Sequence, residues 1–479
     1  MRMSAMMIKN LIRAGRNALR LALVCFLANA PAGSAAEAPL SPLQARLLAK
    51  HKPNILFILA DDLGYGDLGC YGQTRIKTPN IDRLAAEGVR FTQCYAGSTV
   101  CAPSRASLMT GFHTGHGRIR GNGDIPLQPA DLTVADVLKR AGYTNGVVGK
   151  WGLGLTNTPG LPNQKGFDEW FGYLGHNEAH NYYPAQLHRN QLIFTLQPNL
   201  DGQKGQYSHD LFTAVALNFV RINKHNPFFL YLAYTIPHAQ NELKDKGMPV
   251  PSDAPYSRED WPQMEKNKAA MITRLDEDVG KLMQKLKELR IDDNTLVLFS
   301  SDNGPHREGG VNPDFFQSSG PLRGIKRDMY EGGIRVPMIV HWPGKTKPGT
   351  VSDQVWAFWD FLPTAAEVAG LKPPEGIDGI SMLPTLLGQT QTNQHAFFYW
   401  EFHELGSKQA VRMGDWKAVR LGPGKPLELY NLKSDLGETE NLADKNPEIV
   451  AQIEDFLKTA RTESERWPIR PAGPADEKP

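Results

Sequence analysis

The sequence predicts an α/β fold, a large and mostly parallel sheet with helices on both faces, joined to a small C-terminal α+β unit with an antiparallel sheet. Three observations predict it. Apolar runs at 54–60, 228–234, 294–301 and 336–341 are continuous rather than alternating, as in strands buried on both faces. Helical patterns fall between them, which is the alternation a parallel sheet requires. A stretch rich in Pro and Gly at 373–387 then precedes a tail of short, strand-like runs.

In chain order, the first strand, Asn54 to Ala60, ends in Asp61-Asp62-Leu63-Gly64. Residues 79–87 read as a helix with Ile81, Leu84 and Ala85 inward and Gly88 as its stop. Residues 133–141 form another, carrying Val134, Val137 and Leu138, and Gly142 ends it. A short strand at 145–149 delivers Lys150-Trp151-Gly152-Leu153-Gly154, and the strand at 228–234 runs into Thr235-Ile236-Pro237-His238. Leu275, Val279, Leu282, Leu286 and Leu289, at alternating four- and three-residue steps, mark a long amphipathic helix. The strand at 294–301 opens into Asp302-Asn303-Gly304-Pro305. In the tail, 395–402, 410–413, 417–420 and 428–430 read as antiparallel strands, and a helix follows from Pro447 to about residue 460 behind the cap Asn446. The expected division is a leader at 1–36, a large domain at 37–385 and a small one at 386–479.

The 479 residues are 41% apolar and 22% charged, ordinary values for a globular chain long enough for one large core. Mean hydropathy is −0.39, and no apolar run beyond the N-terminus is long enough for a membrane span. Arg2, Lys9, Arg13, Arg16 and Arg20 precede the apolar run 21–30, and Ser34-Ala35-Ala36 fits a cleavage site, so a secretory signal and a periplasmic or secreted location are expected. Met6 and Met7 are alternative starts. Loss of residues 1–36, with five cations and no acids, moves the formal charge from +2 to −3, which argues against nucleic acid as a partner. Of four cysteines, Cys25 leaves with the leader, whose Ala22-Leu23-Val24-Cys25 makes a poor lipid-attachment site. Cys70, Cys94 and Cys101 remain, an odd number that flags one thiol with a separate fate. Cys70 and Cys94 fit either a bridge or two buried thiols.

Functional groups in open α/β sheets gather beyond the carboxyl ends of the strands. Asp61-Asp62, Lys150, His238 and Asp302-Asn303 all follow apolar strands. The four oxygen-bearing residues are hard ligands that favour Ca²⁺, or Mg²⁺, over Zn²⁺. Both members of each pair reach one ion only where the chain turns, near Gly64 and Gly304. Cys101-Ala102-Pro103-Ser104-Arg105 leads into Leu108-Met109-Thr110-Gly111. Pro103 suits the first turn of a helix, which puts Cys101 just ahead of an N-terminus that favours anions. Arg105, four residues on, is a fixed cation on the same face.

This run resembles the sulfatase signature, Cys-x-Pro-Ser-Arg followed by Leu-x-Thr-Gly, and the similarity extends through the motifs from Pro53 to Gly344. The resemblance implies an alkaline-phosphatase-like fold and sulfate-ester hydrolysis through formylglycine, made from Cys101 by a formylglycine-generating or other maturing enzyme. It implies a divalent cation, usually Ca²⁺, at Asp61, Asp62, Asp302, Asn303 and the modified Cys101. It assigns Arg105, Lys150 and Lys326 to the sulfate and His238 to the leaving group. One position departs from the pattern. Many sulfatases read Gly-Lys-Trp-His-Leu-Gly, where the histidine serves as a base, and here Gly152 stands in its place. His180, in Ala179-His180-Asn181-Tyr182-Tyr183-Pro184, is the preferred substitute, followed by His113, His116 and His306. The substrate class is a sulfated small molecule or carbohydrate. The alternatives are a phosphatase or phosphonate monoester hydrolase of the same superfold, and a non-catalytic protein that binds sulfated glycans.

Overall fold

The computed structural model describes residues 52–473, so the expected leader lies outside the described residues. Eleven strands form the main sheet: β1 (Asn54–Ala60), β2 (Val89–Tyr95), β3 (Thr144–Lys150), β4 (Glu169–Tyr173), β5 (Gln186–Arg189), β6 (Leu192–Thr195), β7 (Phe228–Ala233), β8 (Thr295–Ser301), β9 (Arg335–His341), β10 (Thr350–Ser352) and β11 (Trp356–Ala357). Their spatial order is β10-β2-β9-β8-β1-β7-β3-β4-β5-β6, with β11 also paired to β2. The central strands β8, β1, β7, β3 and β4 are mutually parallel. β9 runs antiparallel between β8 and β2, and the β5–β6 hairpin closes the other edge.

The continuous apolar runs are explained by two cores, one on each face. In β1, Ile55, Phe57 and Leu59 belong to one core, and Leu56, Ile58 and Ala60 to the other. The helices that cover the sheet are α1 (Pro79–Glu87), α2 (Cys101–Thr110), α3 (Val134–Arg140), α4 (Ser208–Asn223), α5 (Gln263–Glu288) and α6 (Phe361–Val368). α1 buries Ile81, Leu84 and Ala85 as its pattern predicts. Thr133 caps α3 through a reciprocal box with Asp136. In α5 the apolar stripe is buried through Leu286, and Leu289 lies just past the end.

One local expectation is corrected. α2 begins at Cys101 itself, with Val100 extended as its N-cap, so the cysteine lies inside the first turn rather than ahead of it. Pro103 occupies that turn, where its missing N–H breaks no helical bond. Gly111 ends the helix with φ +76°, a conformation that suits glycine.

Beyond the main sheet, β12 (Phe398–Phe402), β13 (Lys408–Met413), β14 (Trp416–Arg420) and β15 (Glu428–Asn431) form an antiparallel meander, followed by α7 (Pro447–Leu457). This second sheet is tied to the first. Trp400 Nε1 donates to the Ala96 carbonyl at 2.9 Å, in the segment that leads into α2. Tyr95, Val100, Trp359 and Trp400 share one apolar cluster. A buried ionic network crosses the same boundary: Lys417 Nζ lies 2.9 Å from Glu331 Oε1 and 3.5 Å from Glu438 Oε1, and Tyr95 OH donates to Glu331 Oε2 at 2.6 Å. Cys70, Cys94 and Cys101 are free thiols, so of the two alternatives for Cys70 and Cys94 the structure has the unbridged one. Among the described residues no helix is long and apolar enough to cross a membrane.

Candidate active site

The four polar clusters converge because their strands are neighbours. β8, β1, β7 and β3 lie side by side, and their carboxyl ends lead to Asp302, Asp61, His238 and Lys150. The turn that brings both aspartates of the first pair inward is made at Asp62, with φ +63°. Gly64 is required for a different reason: a Cβ there would fall 2.1 Å from the Ser318 carbonyl oxygen.

Cys101 is fully buried, and its Sγ lies 3.3 Å from Asp61 Oδ1. Lys150 Nζ donates to Asp61 Oδ2 at 2.8 Å. Asp62 Oδ2 accepts from Lys326 Nζ at 2.8 Å, and Asp62 Oδ1 from Asn303 Nδ2 at 2.7 Å. The Asp62 N–H donates to Asp302 Oδ1 at 3.1 Å. Arg105 is wholly enclosed: its Nε and Nη2 donate to Asp302 Oδ2 at 3.0 and 2.7 Å, Nη1 donates to the Lys150 carbonyl at 3.1 Å, and Nη2 is 3.3 Å from Asp61 Oδ2. Arg105 therefore holds carboxylates in place.

Electrostatics follow from this packing. Burial pushes the Asp61 carboxyl up, but Lys150, Arg105, His238 and Lys326 together hold it well below the ordinary range. Asp302, buried and facing the charge of Asp61, is pushed up to about 7 despite Arg105. Burial lowers Lys326 and Lys150, yet Asp62 and Asp61 respectively outweigh it and keep both firmly protonated. Burial raises the Cys101 thiol, and Asp61 raises it further, so an unaltered Cys101 is a poor thiolate.

The oxygen set fits a divalent cation. Asn303 Oδ1 is buried and has no hydrogen-bond partner among the described residues, although its Nδ2 is satisfied twice. An orphaned carbonyl oxygen beside crowded carboxylates is what a hard cation completes. One ligand atom each from Asp61, Asp62, Cys101 and His238 lie within 4.8 Å of one another.

The histidines separate into groups. His238 Nδ1 donates to the Ala239 carbonyl at 2.6 Å, and its Nε2 accepts from Lys326 Nζ at 3.0 Å, which fixes a neutral ring. His180 stacks on it with centroids 4.2 Å apart, and burial and the charge of Lys150 lower its pKa to about 4. The buried Nε2 of His180 has no partner among the described residues. Both ring nitrogens of His306 are engaged, Nε2 with the Pro237 carbonyl and Nδ1 with the Glu308 N–H. His113 and His116 sit past the C-terminal end of α2 against Asp378, about 15 Å from Cys101 along the helix. Gly152, with φ +73°, has open space where a Cβ would stand.

Two neighbours of the site escape the motif analysis. Glu308 lies 3.3 Å from Lys326 Nζ and 2.5 Å from Arg327 Nη1, and its place just after Asp302-Asn303-Gly304-Pro305 was the available signal. His176 packs edge-on against His180 at 5.2 Å, and its Nδ1 is buried without a described partner.

A cysteine in the first turn of a helix, two buried lysines paired with carboxylates and an oxygen-rich cluster that suits a hard cation are the features of this site. Comparison with known proteins gives the family. The Sulfatase family model matches residues 53–371, and a model for the C-terminal part of N-sulphoglucosamine sulphohydrolase matches residues 325–463. The chain belongs to the sulfatase family and is a sulfuric ester hydrolase. It is 31% identical to the N-acetylgalactosamine-6-O-sulfatase of Bacteroides thetaiotaomicron, over 86% of this chain and 93% of that one. It is 35% identical to human N-acetylgalactosamine-6-sulfatase, over 73% of this chain and 69% of the relative. The crystal structure of Ps i-CgsB in complex with k-i-k-neocarrahexaose superposes with a TM-score of 0.77 at 30% identity, covering 89% of this chain and 96% of the other.

Proposed function

We propose that this protein removes sulfate from a sulfated carbohydrate in the periplasm or outside the cell, through a formylglycine formed from Cys101 and with Ca²⁺ held by Asp61, Asp62, Asp302 and Asn303. The observation that carries this reading is the burial of Cys101 against Asp61, 3.3 Å away, where Asp61 and its neighbour Asp62 are each paired with a lysine. Two relatives are named for a sulfated amino sugar and a structural neighbour holds a neocarrahexaose, which supports a carbohydrate substrate.

When bound, Ca²⁺ supplies positive charge against the nucleophile and the sulfuryl oxygens. Formylglycine at position 101 would supply, as its hydrated aldehyde, a hydroxyl nucleophile and a second hydroxyl. The chain's own residues do the rest. Lys150 and Lys326, anchored by Asp61 and Asp62, present fixed ammonium groups to the sulfuryl oxygens. Arg105 positions Asp302 and Asp61. The proton for the departing oxygen is held at Lys326 Nζ, which shares it with His238 Nε2. His180, neutral with a free buried Nε2, takes the proton from the second hydroxyl in place of the histidine that Gly152 lacks.

The test is the mass of the Cys101 peptide from protein made in its native host, with rates on an aryl sulfate and the matching aryl phosphate. Formylglycine and a preference for sulfate support the proposal. An unmodified thiol in active protein, or faster phosphate hydrolysis, overturns it.

A further inference from the structure

The ammonium of Lys326 has no donor to spare. Its three N–H groups face three acceptors: Asp62 Oδ2 at 2.8 Å, His238 Nε2 at 3.0 Å and Glu308 Oε2 at 3.3 Å. An ester oxygen that takes a hydrogen bond from Lys326 must therefore displace one of them. The side chains of Asp62 and His238 are at most 2% exposed, whereas that of Glu308 is 24% exposed and makes the longest contact. Glu308 is the acceptor that gives way, and its carboxylate oxygen stands where the oxygen of an anionic ester would be received.

A released Glu308 stays at the site. Its other oxygen, Oε1, is held by Arg327 Nη1 at 2.5 Å, and Arg327 Nε donates to Glu404 Oε2 at 3.0 Å. The backbone N–H of Arg327 donates to the Thr99 carbonyl at 3.1 Å, two residues before Cys101. Burial raises the Glu308 carboxyl, but Lys326, His238 and Arg327 bring it down to about 2, so it is ionised. A carboxylate accepts hydrogen bonds and donates none. A sugar hydroxyl beside the sulfate ester satisfies it, and a second sulfate in that place is repelled.

We propose that Glu308 selects the leaving sugar: it yields the third N–H of Lys326 to the ester oxygen, and its freed Oε2 accepts a hydrogen bond from a hydroxyl of the same sugar. This rests on the sulfatase reading above and adds to it a requirement for a free hydroxyl near the sulfate. A carboxylate that only held Lys326 in place would serve every ester equally, so the two roles part on the leaving group.

The experiment uses the full chain made in its native host, with kcat/KM normalised to the formylglycine fraction of the Cys101 peptide. Three substrates are compared: para-nitrophenyl sulfate, which has no hydroxyl; the monosulfated hexose or N-acetylhexosamine that the wild type turns over fastest; and that sugar with a second sulfate on the hydroxyl nearest the first. Glu308→Ala should lower the ratio of kcat/KM on the sugar sulfate to that on the aryl sulfate by about 10- to 100-fold, the range for a hydrogen bond to a charged group. Glu308→Gln keeps the shape of the side chain should the alanine variant fail to fold, and should raise the ratio of disulfated to monosulfated sugar by at least about 10-fold. A fall in the first ratio or a rise in the second supports the contact. Both ratios within about threefold of wild type, whatever the change in absolute rate, would leave Glu308 as a positioning residue for Lys326 and overturn it. Turnover of the aryl sulfate but of no sugar sulfate by the wild type overturns it too. A wild type that carries formylglycine and hydrolyses neither is a separate outcome, which removes the sulfatase reading itself.

Discussion

Lys417 is the sharpest place to test how the second sheet is held. Its ammonium has no exposed surface and is shared by two carboxylates that are equally buried, Glu331 at 2.9 Å and Glu438 at 3.5 Å. At an effective dielectric of about 20, a charge pair near 3 Å interacts by about 6 kcal/mol, most of which offsets the desolvation of its members. Replacing Lys417 with Met leaves that desolvation in place and removes the attraction. Arg335, 3.2 Å from Glu331 Oε2, covers part of the residual charge. The expected loss is about 3–5 kcal/mol, the range found when one partner of a buried pair is deleted. The assay is the urea midpoint of unfolding at pH 8, compared with that of Glu438→Gln. Burial, together with the charge of Glu331, holds Glu438 up at about 7 despite Lys417. A carboxyl raised in the folded state favours folding below its unfolded pKa of about 4.5, and that contribution is lost as pH rises through about 7. Glu438→Gln therefore unfolds no earlier than the wild type at pH 8, while Lys417→Met unfolds well before it. A Lys417→Met midpoint within about 1 kcal/mol of wild type would refute a net role for the network.

Arg105→Lys keeps the charge but loses the paired donation to Asp302, so the Ca²⁺ concentration for half-maximal activity should rise about 10- to 100-fold; an unchanged titration would show that Asp302 needs no positioning. Cys101→Ala expressed in the same host should lower aryl sulfate turnover by at least about 1,000-fold with an unchanged unfolding midpoint, and retained turnover would remove the cysteine-derived nucleophile. Burial lowers the His113 pKa to about 4, so His113 favours folding above its unfolded value of about 6.5, and that contribution is lost as pH falls toward 4. His113→Gln should flatten the fall in stability between these two pH values, and a parallel pH profile would argue against burial of a neutral ring.

The parallel centre was legible because β1, β7, β8 and β9 are buried on both faces, and that leaves an unbroken apolar run in the sequence. β2 was not, because Val-Arg-Phe-Thr-Gln-Cys-Tyr is only half buried and lies where the sheet changes direction. The hairpin β5–β6 is equally silent: Leu192, Ile193 and Phe194 are exposed, so their apolar character reports no core. At the site, Asp61, Asp62, Lys150, His238, Asp302 and Asn303 could be grouped because each follows a strand end. Their mutual pairing could not, since it depends on the strand order β8-β1-β7-β3, which no local pattern encodes.

The complete burial of Cys101 also fixes an order of events. It belongs to the first turn of α2, with Asp61 Oδ1 3.3 Å from its Sγ. No macromolecular catalyst can grip a side chain in that position. If Cys101 is converted as proposed, the converting enzyme would have to meet it on an extended chain, and a molecule that folds first would be shut out for as long as it stays folded.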